Sequence, residues 1–84
     1  MKVIKIGAIW CSACLIMNKR WKEVKEEVPF ESVELDYDMD EEEVQKYHPG
    51  DILPIFIFEK EGKEISRLEG EVTKEELLKQ IKEG

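Results

Sequence analysis

Apolar positions along the chain follow two rhythms. Val3-Ile4-Lys5-Ile6-Gly7-Ala8-Ile9 is β-branched and mostly apolar on both faces, the signature of a strand inside a sheet that is covered on two sides. Cys14, Met17, Trp21, Val24 and Val28 then recur at steps of three and four, one stripe of an amphipathic helix that Pro29 stops. From Phe30 to Tyr37 the rhythm returns to two, with Val33, Leu35 and Tyr37 on one side and Ser32, Glu34 and Asp36 on the other, which predicts a second strand. Asp40 with Glu43 has the pattern of a capping box, and opens a short helix ending near Tyr47. Ile55 to Phe58 reads as a third strand, and Glu61-Gly62 as a hairpin turn into a fourth over Lys63 to Leu68, with Gly70 at its exit. Thr73 with Glu76 is a second capping box, and Leu77, Leu78 and Ile81 supply the apolar face of a closing helix. The order is therefore βαβαββα, an α/β chain with no internal repeat and no linker.

The 84 residues are enough for one domain, 1–84, which buries roughly two thirds of the surface its unfolded chain exposes. Hydrophobic residues make up 42% and charged residues 39%, with no low-complexity tract, so the chain is expected to fold. No apolar run approaches the ~18 residues that span a bilayer, and Met1-Lys2 leads straight into a short apolar stretch rather than a cleavable signal; a cytoplasmic protein with no membrane partner is expected. The net charge of −7 argues against nucleic acid as a partner. Eight of the twenty acids fall between Glu31 and Glu43, where there is no base. This run reads as a solvated helix start, because Glu41 and Glu42 suit a positive first turn, with the steering of a basic partner as the sharper alternative. Asp36-x-Asp38-x-Asp40 is not a calcium loop, since the sixth position is Glu41 instead of Gly and the twelfth is Tyr47 instead of Glu.

Both cysteines lie in Trp10-Cys11-Ser12-Ala13-Cys14. A bridge across two residues constrains the unfolded chain very little, so the pair serves chemistry rather than stapling. Positions i and i+3 share one side of a helical turn and can switch between dithiol and disulfide with little backbone movement. The apolar stripe begins at Cys14 and misses Cys11, which puts Cys11 at the helix's N-terminal edge and Cys14 on its buried side. Unpaired N–H groups and the positive dipole end there favour the Cys11 thiolate.

With these residues in place the chain resembles a small member of the thioredoxin family. A strand ending in Trp-Cys-x-x-Cys, a helix, a strand, a short helix carrying Tyr47, Leu53-Pro54 opening an apolar strand, a Gly turn, and Gly70 before the last helix follow the family's pattern over essentially all of the chain. The resemblance implies a minimal thioredoxin-like domain with a four-stranded mixed sheet flanked by three helices, lacking the strand and helix with which full-length thioredoxins begin. It implies that Pro54 follows a cis peptide bond beside the cysteines, and that Trp10, Leu53, Pro54 and Gly70 face the substrate, with Trp10 covering the thiols. Ser12 and Ala13 replace the Gly-Pro of typical thioredoxins, Lys5 stands where the family carries a buried acid, and Lys19 replaces a helix-kinking proline, so the redox poise is open and Lys5, Ser12 and Ala13 are its candidate tuning residues. Lys5 either pairs with Glu34 or Asp36 on the neighbouring strand or snorkels to solvent along its stem.

The expected activity is that of a thiol–disulfide oxidoreductase acting on protein disulfides as a monomer, with no cofactor beyond the Cys11/Cys14 pair, and reset by a thioredoxin reductase-like donor or glutathione. The alternative is a metal-binding module resembling small copper carriers, which also hold Cys-x-x-Cys between a first strand and helix; those domains end in a strand, and two thiolates without further ligands make a poor zinc site. His48, the only histidine, sits in a turn and reads as a surface residue, and Trp21 reads as core.

Overall fold

The structure, a computed structural model, describes residues 1–83; the last position of the expected domain, Gly84, lies outside them. The elements are β1 (Lys2–Gly7), α1 (Ser12–Glu27), β2 (Glu31–Asp36), α2 (Glu41–Gln45), β3 (Ile55–Lys60), β4 (Lys63–Glu69) and α3 (Lys74–Glu83). The strands form one mixed sheet in the order β2-β1-β3-β4, with β1 parallel to β2 and antiparallel to β3, and β3 antiparallel to β4.

Each boundary has a local cause. Val28 takes an extended conformation (φ −132°, ψ 140°), as expected of a residue before proline, and its N–H still reaches the carbonyl of Val24, so α1 ends cleanly at Pro29. Glu61 and Gly62 both have positive φ (55° and 79°), the pairing of a type I′ hairpin turn whose twist matches the flanking strands. Thr73 and Glu76 form the expected capping box in both directions, each backbone N–H meeting the other's side chain. Asp40 and Glu43 do not. The Asp40 carboxylate instead accepts the N–H of Asp36 at 2.8 Å, so it pins the end of β2 and makes no cap on α2. In the acidic run the turn between β2 and α2 was the stronger competitor for that side chain.

Two apolar clusters lie on opposite faces of the sheet. Under α1 and α3 are Val3, Met17, Trp21, Val24, Phe56, Phe58, Leu77 and Ile81. On the other face Ile4, Ile6, Val44, Ile55 and Ile57 are buried together with Ala8, Cys14 and Leu53. Because β1 is covered on both sides, Val3, Ile4, Lys5 and Ile6 are all buried, and the second cluster brings Cys14 and Leu53 together beyond the end of β1. Among the described residues no helix is long and apolar enough to cross a membrane.

Candidate active site

Cys11 is the N-cap of α1, in an extended conformation (φ −93°, ψ 112°). Its sulfur accepts the N–H of Cys14 at 3.3 Å, one of the helix-start donors with no partner inside the helix. The same sulfur lies 3.6 Å from the carbonyl oxygen of Leu53, to which its thiol donates. Both thiols are free: Cys11 is half-buried, whereas Cys14 is only 3% exposed. A methyl placed on Gly7 would sit 3.4 Å from the Cys14 sulfur, so the bare backbone at the end of β1 leaves the sulfur its room. Burial first, and then the hydrogen bond to Cys11, push the Cys14 thiol up to about 11, with the Ala8 backbone and Lys5 pulling the other way.

The peptide bond between Leu53 and Pro54 is cis, and both residues are buried. The Pro54 carbonyl accepts the N–H of Gly70 at 2.8 Å, and Gly70, at φ 79°, packs so closely that a Cβ there would meet Ile52 at 3.1 Å. The fold thus assembles Cys11, Cys14, Leu53, Pro54 and Gly70 from three separate stretches of sequence. The Trp10 indole N–H donates to Asp38 at 2.6 Å and its ring meets Tyr37 edge-on, so the side chain next to Cys11 is tied to the turn after β2 while remaining 63% exposed. Ser12 is exposed and Ala13 half-buried in the first turn of α1.

Lys5 settles between its two alternatives. It is 7% exposed, donates to the Asn18 side-chain oxygen, and lies 3.7 Å from Glu34, its register partner on β2; Asp36 is not its partner. Asn18 went unread in the sequence, although its place four residues after Cys14 on one helix puts it on the same side. Ile9, read from the sequence as part of the covered first strand, lies beyond the end of β1 in the turn before Cys11 and is exposed, and the exposed apolar side chains Leu15 and Ile52, outside the buried rhythm, were likewise missed although each lies within a few residues of Cys14 or Leu53. Among the described residues no group of three or more His, Cys, Asp and Glu is placed to hold a metal ion.

The family model described as Thioredoxin matches residues 1–83. The chain belongs to the thioredoxin family. A search of curated proteins found no match by sequence. Among solved structures, the chain is similar to thioredoxin from Fasciola hepatica (30% identity, TM-score 0.89, covering 98% of this chain and 78% of that one) and to the reduced thioredoxin pre-protein of Schistosoma mansoni (28%, 0.90, 98% and 76%). It shares its fold with thioredoxin-2 of the malaria parasite, described as a component of that parasite's protein secretion machinery (22%, 0.91, 99% and 82%). As a thioredoxin-family member the chain falls, in general terms, among thiol–disulfide oxidoreductases.

Proposed function

We propose that this thioredoxin-family protein reduces protein disulfides through a mixed-disulfide intermediate, with Cys11 as the attacking sulfur and Cys14 as the resolving one. The observation that carries this reading is the asymmetry of the pair: Cys11 is within reach of solvent at the helix start, and Cys14 is buried one turn behind it with its N–H on the Cys11 sulfur. The Cys11 thiolate attacks a target disulfide and one target sulfur leaves as a thiolate. Cys14, deprotonated, then attacks the Cys11 sulfur; the protein disulfide forms as the second target sulfur departs, so two electrons pass from the dithiol to the target.

The backbone of Leu53, whose carbonyl accepts the Cys11 thiol, is the edge on which an extended target segment pairs, with Pro54 and Gly70 shaping its floor and Trp10, Ile9, Leu15 and Ile52 forming an apolar rim. Ser12 and Ala13, between the thiols, and Lys5, below Cys14, set the redox poise. The pair itself carries the electrons and no further cofactor enters. A thioredoxin reductase-like donor or glutathione resets the dithiol, and the protein works as a cytoplasmic monomer.

An insulin-reduction assay, driven by a thioredoxin reductase and separately by glutathione, tests the activity and its donor. Cys14→Ser is expected to accumulate mixed disulfides with protein targets and Cys11→Ser to form none. Trapping by Cys11→Ser alone would reverse the assignment, and stoichiometric metal in protein purified under reducing conditions, with no insulin reduction, would replace it with metal binding.

A further inference from the structure

A groove of about 340 Å³ opens beside the first turns of α1 and is lined by Cys14, Lys5, Gly7, Asn18, Glu34 and Asp36 among others. It gives the buried Cys14 sulfur a polar wall of its own. Lys5 is the buried charge in that wall, and it is held in place: Asn18 accepts from its ammonium and Glu34 lies 3.7 Å away. Glu34 is shared with Lys25, at 3.6 Å, so its single negative charge is divided between two ammonium groups. The charged and titratable groups that line the groove with Cys14 are Lys5 from β1, Glu34 and Asp36 from β2, and Asp40 before α2, the last two with carboxylates bonded to backbone N–H groups at the end of β2 and in the turn that follows, and Cys11 adjoins Cys14 at the start of α1.

The resolving step requires Cys14 to lose a proton in a place that disfavours its anion. We propose that Lys5, clamped by Asn18 and Glu34, is the positioning group of that step, a fixed ammonium that stabilises the Cys14 thiolate while it attacks. The inference rests on the exchange reading above. In the mixed disulfide the Cys14 proton passes to water in the groove, the Cys14–Cys11 sulfur bond forms, and the bond from Cys11 to the target sulfur breaks. That sulfur leaves with the electron pair and is protonated by solvent; the dithiol has been oxidised and the target reduced. A cation suits this task because it opposes the burial cost of the anion without accepting the proton itself.

The two sulfur steps can be read separately. Reduced protein in excess over dithiobis(nitrobenzoate) releases one coloured thiolate when Cys11 attacks and a second when Cys14 resolves, and stopped-flow absorbance across pH follows both. Lys5→Met, which fills the same volume without charge, is expected to leave the first phase unchanged. It should displace the second to higher pH by about half a unit, a slowing of about threefold at neutral pH. Lys5→Arg restores the second phase, and Glu34→Gln, which frees the ammonium of its counter-charge, moves it to lower pH. Wild-type protein that releases no thiolate sinks the exchange reading and this inference with it. Two phases in the wild type with a superimposable second phase in Lys5→Met overturn the role of Lys5 alone, as does a Glu34→Gln variant whose second phase is slower, since that result makes the carboxylate the proton acceptor.

Discussion

Cys14 shows how a single side chain ties stability to pH. Its thiol is pushed from an ordinary value of 9.0 up to about 11 by burial and by Cys11, so the folded chain holds that proton after an unfolded chain has released it. A group raised in this way contributes stability that is complete below the unfolded value and is lost as pH rises through the folded one. The reduced protein is therefore expected to lose about 2 kcal/mol between pH 9 and pH 11 that a Cys14→Ala variant does not lose. Urea midpoints at the two ends of that window check it, and parallel decline in both proteins would assign the loss to other groups. Glu64 gives the opposite slope. The Arg67 guanidinium, hydrogen-bonded to it at 2.7 and 2.8 Å, holds its carboxyl below the usual range, so its small contribution is present above that range and fades as acid protonates it.

At the scale of elements, the type I′ turn between β3 and β4 carries one avoidable cost. Glu61 has positive φ, a conformation a glutamate side chain disfavours, whereas asparagine followed by glycine is the preferred pair at this turn. Glu61→Asn is expected to stabilise the chain by about 0.5–1 kcal/mol, read as a higher urea midpoint at unchanged slope, with insulin reduction unaffected. A lower midpoint would mean that Glu61 makes a favourable contact in the folded state. That turn was legible because glycine chemistry is local, and so were α1, whose apolar stripe matches its buried Cys14, Met17, Trp21 and Val24, and β1, which is apolar on both faces. Where the sequence reading failed, the decisive partner lay across a turn or on another strand. Asp40 had two local uses and took the one in the preceding turn. The Trp10 contacts with Asp38 and Tyr37, 28 and 27 positions away, leave no local signal in the sequence. The cysteine pair could be read from the sequence since spacing alone puts both on one helical turn; the Asn18 and Glu34 grip on Lys5 needs the register of β1 on β2, which periodicity does not supply.

Over the whole molecule, charge is uneven. The segment from Glu31 to Glu43 carries eight acids and no base, and Asp38 within it is bonded to Trp10, so this negative region adjoins the residue before Cys11. Such a field acts on encounter and fades over a Debye length of about 10 Å at 0.1 M salt. Cystamine, a dication, is expected to react with the reduced protein faster than dithiodipropionate, a dianion, by about threefold or more at low ionic strength, with the ratio shrinking as salt is added. A ratio that does not change with salt would show that the acids are too dispersed to steer.

The two tryptophans stand in opposite surroundings, Trp10 at 63% exposure next to Cys11 and Trp21 at 2% inside the core with Phe30 and Phe56 around it. Optically, this makes the chain its own pair of reporters. Emission from Trp10 lies to the red and is open to iodide or acrylamide, while emission from Trp21 lies to the blue and is shielded until the core opens. Oxidation of the thiols is expected to alter the quenchable red component alone, and urea to bring the blue component into reach of the quencher. One fluorescence titration of the unlabelled protein therefore separates an event at the sulfurs from the loss of the fold.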